Sequence, residues 1–332
     1  MKSIKKLFVC ALALTLCIST FAACKDEGDD KESGTVYYTV KFTEVDGGAV
    51  ITERQVKQGS TMSEPAVPDR AGYIFDGWYK GNTPWYFEDT VKSDMILHAR
   101  WLDAETVFEH TPTGDGQTTI ITRAKVARTV MRLPSSIGGY TVVGVGAGLF
   151  SEPTDPPIEE VILPETVTKI GAEAFKGLTD VPITVEGALD EVGEYAFYEC
   201  NGLSEIKFKE GLTSVSAYAF SGTSIVQAIL PQSLTLIDEN AFEKCASLVA
   251  TAMPSEGLEV YNSAFSGTNI KILYLYGDDA QATEFLDERV SSRNDVLLDA
   301  KIYLYSEASP TAETEYDGFW YLDENGRTRI WK

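Results

Sequence analysis

The sequence predicts a mainly β protein with short helices, in which a small N-terminal strand module precedes a solenoid with a cap at each end. The first observation is a phrase that recurs six times, an aliphatic residue followed closely by Ala-Phe or, once, Leu-Phe. The copies are Val145…Leu149-Phe150, Ile170…Ala174-Phe175, Val192…Ala196-Phe197, Val215…Ala219-Phe220, Ile237…Ala241-Phe242 and Val260…Ala264-Phe265, with phenylalanines 25, 22, 23, 22 and 23 residues apart. A fixed period in the low twenties is the mark of coils stacked one on the next. The second observation is a short alternating strand pattern between successive phrases, and the third is an aromatic-rich alternating stretch over residues 36–102.

At the N-terminus, Lys2, Lys5 and Lys6 precede an apolar run from Leu7 to Ile18, too short to span a bilayer comfortably, so 1–23 reads as an export signal. Phe21-Ala22-Ala23-Cys24 resembles the lipobox of bacterial lipoproteins, with Phe21 where an aliphatic residue is usual. That resemblance implies that Cys24 becomes the mature N-terminus, carries a lipid and anchors the exported protein to the cell membrane, facing the cell surface. Residues 24–35 are charged and punctuated by Gly and Ser, the composition of a flexible tether. A net charge of −22 repels nucleic acid and anionic lipid, so no nucleic-acid partner is expected and membrane contact is left to the N-terminal lipid. Cys10 and Cys17 leave with the signal. Cys200 and Cys245 fall two coils apart, ~10 Å at the usual strand spacing, beyond the ~7 Å that a disulfide spans. They read as small, reduced, buried residues of the coil turns.

Residues 36–102 read as the first domain. Val36 to Phe42 alternates, Gly47-Gly48 marks a turn, Val50 to Val56 is again extended, and Pro65 and Pro68 force an open connection. Trp78, Trp85 and Trp101 supply the core that so small a domain needs. The run Arg70-Ala71-Gly72-Tyr73-Ile74-Phe75-Asp76-Gly77-Trp78-Tyr79, with Trp85-Tyr86-Phe87 and Leu97-His98-Ala99-Arg100-Trp101, resembles the Listeria–Bacteroides repeat. The resemblance implies a β-grasp-like module of bacterial surface proteins.

Residues 103–144 read as a linker and N-terminal cap, since the open end of a solenoid requires cover. Thr118 to Thr122 and Thr129 to Leu133 read as short strands, and Arg123, Lys125, Arg128 and Arg132 form a basic cluster in this stretch. That cluster is either a solvated strand edge or a docking spot for an acidic partner. Over 145–277, the strand patterns place Val161/Leu163, Ile183/Val185, Ile206/Phe208, Ala228/Leu230, Thr251/Met253 and Leu273/Leu275 inward, and Pro164, Pro231 and Pro254 close three of the strands. Strand, proline turn, aliphatic anchor and Ala-Phe together resemble the BspA-like leucine-rich repeat. The resemblance implies one parallel sheet with the Ala-Phe turns opposite it, and hence a leucine-rich-repeat solenoid behind the β-grasp-like module.

The outward residues of those strands are Ile162, Thr184, Lys207, Ile229, Ala252 and Tyr274. The surface is mixed, suited either to protein contact or to plain solvation, and Lys207, Ile229 and Tyr274 are its candidate partner contacts. Residues 278–332 read as the C-terminal cap: a helix over Ala280 to Ser291, an extended stretch from Val296 to Tyr305, and a hairpin around Asn325-Gly326.

Catalytic chemistry has no foothold in this pattern. His98 and His110 are isolated, no zinc-ligand set can be assembled, and neither a phosphate-binding loop nor a nucleophile elbow is present. No catalytic, cofactor-binding or metal-binding residue is expected, and no cofactor. The reading is a monomeric, non-enzymatic surface scaffold that adheres to a protein or extracellular-matrix ligand. The alternative is carbohydrate or cell-wall binding through Trp78, Trp85, Trp320 and Trp331.

Overall fold

The computed structural model describes residues 35–67, 69–150, 154–290, 294–307, 310, 314 and 316–331. The expected export signal, Cys24 and all but the last residue of the tether lie outside the described residues.

The N-terminal module is one five-stranded sheet made of β1 (Tyr37–Thr43), β2 (Val50–Lys57), β3 (Tyr73–Lys80), β4 (Thr83–Pro84) and β5 (Met95–Asp103), in the order β2-β1-β5-β3-β4. The central pair β1–β5 is parallel and its neighbours are antiparallel, a β-grasp-like arrangement. Among the described residues no helix crosses it; residues 58–67 and 69–72 pass between β2 and β3 without regular structure. Alternation turns Val40, Phe42, Leu97 and Ala99 to one side, where Trp78 meets Phe42 edge-on at 5.0 Å.

Residues 104–145 build the first rungs of the solenoid. A short α1 (Ala104–Val107), capped by the Asp103 carboxylate accepting from the Glu105 N–H, leads into the hairpin of β6 (Phe108–Pro112) and β7 (Thr118–Ala124). Then come β8 (Val130–Arg132), β9 (Ser136–Ile137) and β10 (Tyr140–Val145). β7 pairs in parallel with β10, and β8 with the first strand of the next coil, β11 (Glu160–Leu163). The chain thereby lays down a main-chain edge for each of two ladders.

Those two ladders correct the expectation of one sheet. The outer ladder continues with β13 (Ile183–Val185), while a second ladder of two-residue strands is formed by the aliphatic anchors, β12 (Lys169–Ile170) and β14 (Glu191–Val192). After an interruption, the anchors resume as β15 (Ser214–Val215), β17 (Leu236–Ile237) and β19 (Glu259–Val260), and the outer ladder as β16 (Gln227–Ile229), β18 (Ala250–Pro254) and β20 (Ile272–Tyr276). In the outer ladder the break falls at the strand expected over Ile206–Phe208, where only a bridge from Phe208 to Leu189 forms. The cause is local: the Leu189 N–H donates to the Lys207 carbonyl and the Lys209 N–H to the Leu189 carbonyl, which binds this segment to the coil corner instead of to β13.

Inside, the phenylalanines stack along the axis at 5.4, 5.1, 5.4, 5.3 and 5.3 Å from Phe150 to Phe265. The alanine before each ring is fully buried from Ala174 to Ala264, since any larger side chain would collide with the adjacent coil. Each Phe N–H donates to the Ala carbonyl of the next coil, at 2.7 to 2.9 Å from Phe175 to Phe242. Cys200 and Cys245 are free and buried in the turns, where their thiols donate to the Phe175 and Phe220 carbonyls at 2.9 and 3.0 Å. Burial pushes the Cys200 thiol up to about 12 and that of Cys245 up to about 11.

At the far end, among the described residues, no seventh Ala-Phe coil follows to accept from Phe265. The buried Asn294 side chain replaces it: its Oδ1 accepts from the Phe265 N–H at 3.0 Å and its Nδ2 donates to the Tyr261 carbonyl at 2.9 Å. α2 (Asp279–Glu284) begins with a capping box of Asp278 and Gln281 and runs into a π turn over Phe285–Arg289. The extended stretch expected from Val296 starts later, because α3 (Asp295–Leu298) comes first and β21 (Lys301–Tyr305) only then joins β20. β22 (Gly318–Leu322) and β23 (Thr328–Ile330) form the expected hairpin, with Gly326 in the left-handed region at φ 68°.

Candidate functional site: the outward strand face

Alternation in the outer ladder fixes which side chains point away from the phenylalanine core. At the N-terminal end the face starts with Arg132, in register with Ile162. The Arg132 guanidinium lies 5.8 Å from the Phe75 ring centroid, which brings the N-terminal module against this end. Arg128 pairs with Asp76, a carboxylate that Arg100 also reaches at 3.2 Å and that is only 7% exposed. The Gly72 N–H donates to Ser136 Oγ at 3.0 Å, and Ser135 Oγ donates to the Asp69 carboxylate at 2.9 Å. Lys125 donates to the Glu105 carbonyl and Arg123 lies 3.6 Å from Glu109. The basic cluster is thus engaged within the chain, and the acidic group that Arg128 meets belongs to the protein's own first module.

At the other end the face is covered as well. Tyr274 is 5% exposed and lies 5.1 Å from Trp320, which is fully buried, packs edge-on against Tyr276 and Tyr305, and donates Nε1–H to the Leu275 carbonyl at 3.2 Å. Ala250 and Ala252 complete this cluster, with Ile229 half-buried beside them. Gln227 Nε2 donates to Thr328 Oγ1 at 2.9 Å, joining β16 to β23 although they stand at opposite edges of one six-stranded sheet. The hairpin therefore curls back over the face it extends. Of the three expected partner contacts, Tyr274 is removed from solvent, Ile229 is partly covered and Lys207 alone is exposed. The signal that could have shown this was the pair Ala250 and Ala252. Two small residues on consecutive outward positions leave a slot for a large ring.

Between the covers the face is open at Thr184 and Lys207, with Glu205 and Lys209 beside them. The tryptophans do not converge. Trp78 is 2% exposed and Trp320 is buried; Trp331 is half-buried, its ring tilted against Tyr321 at 4.3 Å and its Nε1–H donating to the Ser306 carbonyl. Trp85 lines a shallow depression of about 340 Å³ with Lys80, Asp89 and Lys92. His98 stacks on Tyr79 at 6.4 Å, and His110 Nδ1 shares a hydrogen bond with Thr119 Oγ1. Among the described residues, no three His, Cys, Asp or Glu side chains are grouped to hold a metal ion.

Two parallel ladders around a stacked core define a leucine-rich-repeat solenoid, here preceded by a β-grasp-like domain. The chain combines a BspA type leucine rich repeat region, matched in six copies over residues 181–281, with a Listeria-Bacteroides repeat domain over residues 38–100. A 68-residue stretch is 43% and 41% identical to two proteins of Evansella cellulosilytica described as membrane proteins, one of them Gly-rich. It amounts to 19% of this chain, and to only 10% and 8% of those relatives. Among solved structures, the T. pallidum leucine rich repeat protein is similar at 25% identity and a TM-score of 0.41, over 64% of this chain and 95% of its own. A leucine rich cell surface protein from Faecalibacterium prausnitzii is similar at 19% identity and a TM-score of 0.42, over 68% and 59% respectively.

Proposed function

We propose that this protein is a non-enzymatic scaffold of the bacterial cell surface that adheres to a protein or extracellular-matrix ligand, acting as a monomer and anchored through a lipid on Cys24. The observation that carries the reading is the framed face. The N-terminal module and the C-terminal hairpin cover its two ends, and Thr184, Glu205, Lys207 and Lys209 between them stay exposed. Small-molecule sites are concave and mostly apolar, whereas an exposed polar strip of this kind suits contact with a macromolecule. The repeat families and the membrane-protein descriptions of the relatives support a surface or membrane-associated setting. The burial of Trp78 and Trp320 takes two of four rings away from the carbohydrate alternative.

The test is binding of the mature chain to immobilised fibronectin, laminin and collagen, compared with a Lys207→Glu variant. Saturable binding that falls at least tenfold in the variant supports the reading. No binding to any matrix protein, together with binding to cell-wall glycan that survives the variant, overturns it. For the anchor, mass spectrometry of the membrane-extracted protein should find lipid on Cys24, and an unmodified cysteine or another N-terminus would sink that part.

A further inference from the structure

The turns that carry the phenylalanines also hold an outer aromatic column. Tyr195 and Tyr218 stand two residues before Phe in consecutive coils, and their rings stack at 4.7 Å with planes 5° apart. Tyr198 is edge-on to both, at 5.5 and 6.2 Å. All three are half-buried and none is part of the core. Both stacked tyrosines have left-handed backbone, φ 54° and 57°, which costs a residue with a Cβ ~1–2 kcal/mol. The same place is filled by Gly148, Asn240 and Ser263 in other coils, so the coil itself makes no demand for a tyrosine there.

The rim of this patch is acidic, and one cation already sits on it. The Lys176 ammonium lies 4.8 Å above the Tyr195 ring and is held by Glu173 at 3.2 Å; Lys244 is likewise held by Glu243 at 3.4 Å. Glu194 and Glu199 add two further exposed carboxylates, beside Tyr195 and Tyr198. Tyrosine faces and carboxylates together attract a guanidinium or ammonium group more strongly than either does alone.

We propose that the Tyr195–Tyr198–Tyr218 cluster is a docking site for a basic segment of a partner protein, whose arginine or lysine side chains pack on the rings as Lys176 does and pair with the rim carboxylates. This rests on the protein-binding reading above and gives it a second surface, on the turns and apart from the strand face.

The experiment is fluorescence anisotropy of the mature chain with a labelled Gly/Ser peptide bearing two spaced arginines, against a twin in which both are citrulline, at about 150 mM salt, where long-range attraction is screened. The test variant is Tyr195→Gly with Tyr218→Gly and Tyr198→Ala; glycine suits the left-handed positions, so the coils should fold. The arginine peptide should bind the unaltered chain at least tenfold more tightly than it binds the variant, and at least tenfold more tightly than the citrulline twin binds. Equal binding to both chains would mean attraction to net charge alone and would overturn the proposal, as would the absence of binding at millimolar peptide. Failure of the peptide test, together with matrix-protein binding that is lost in Lys207→Glu, would leave the scaffold reading standing while this site falls.

Discussion

The two ends of the solenoid are closed by different means. At the N-terminal end the closure is mostly main chain: β7 and β8 extend both ladders by one rung, and the module is then fixed by side chains such as Asp76 that reach partly exposed arginines. At the C-terminal end the closure depends on two buried side chains. Asn294 stands in for the peptide groups of a missing coil, and Trp320 fills the slot over Ala250 and Ala252. A main-chain closure can be laid down by many sequences, because the backbone donors and acceptors are the same in all of them. A side-chain closure rests on the particular residue, so the two ends should respond unequally to single substitutions.

The largest effect is expected for Trp320→Ala. Removing a fully buried ring should cost ~3–5 kcal/mol, release the hairpin and expose Tyr274, read as lost amide protection over 318–331 while 118–145 stays protected. Asn294→Leu should follow, at ~2–4 kcal/mol, because the Phe265 N–H and Tyr261 carbonyl are both left without a partner; urea unfolding measures it. Asp76→Asn at the other end should lower stability by about 1 kcal/mol, since its arginines can be solvated once released. A loss as large as that of Trp320→Ala would erase the contrast between the ends. Away from both ends, Lys244→Gly should raise stability by ~0.5 kcal/mol by relieving a left-handed backbone with a Cβ. Its φ of 59° matches the column in which Gly222 and Gly267 sit. Cys200 and Cys245 give the middle its own probe. With thiols raised to about 12 and about 11, the native protein should resist alkylation at pH 8 and become labelled only on unfolding.

Much of this was legible from spacing. The Ala-Phe copies located the core stack and the coil turns, and the alternation around Val161, Ala228 and Leu273 named the inward residues correctly. The buried, unpaired cysteines followed from coil spacing alone. The candidate site was less legible. Ile206–Phe208 has the alternation of a strand and yet forms only a bridge, because its hydrogen bonds go to Leu189 in the preceding coil corner. Tyr274 has an outward position in its own strand and is nevertheless buried, since what covers it lies 46 residues further along the chain.

Period and alternation are local properties of the chain, and they determined the repeat, the inward columns and the N-terminal module's aromatic core. Which outward surface stays free was decided by tertiary structure, because it depends on where the ends of the chain return: Phe75 against Arg132, Trp320 onto Tyr274, Thr328 to Gln227. A side chain's direction follows from its own strand. Its exposure follows from whatever else in the molecule comes to rest on it.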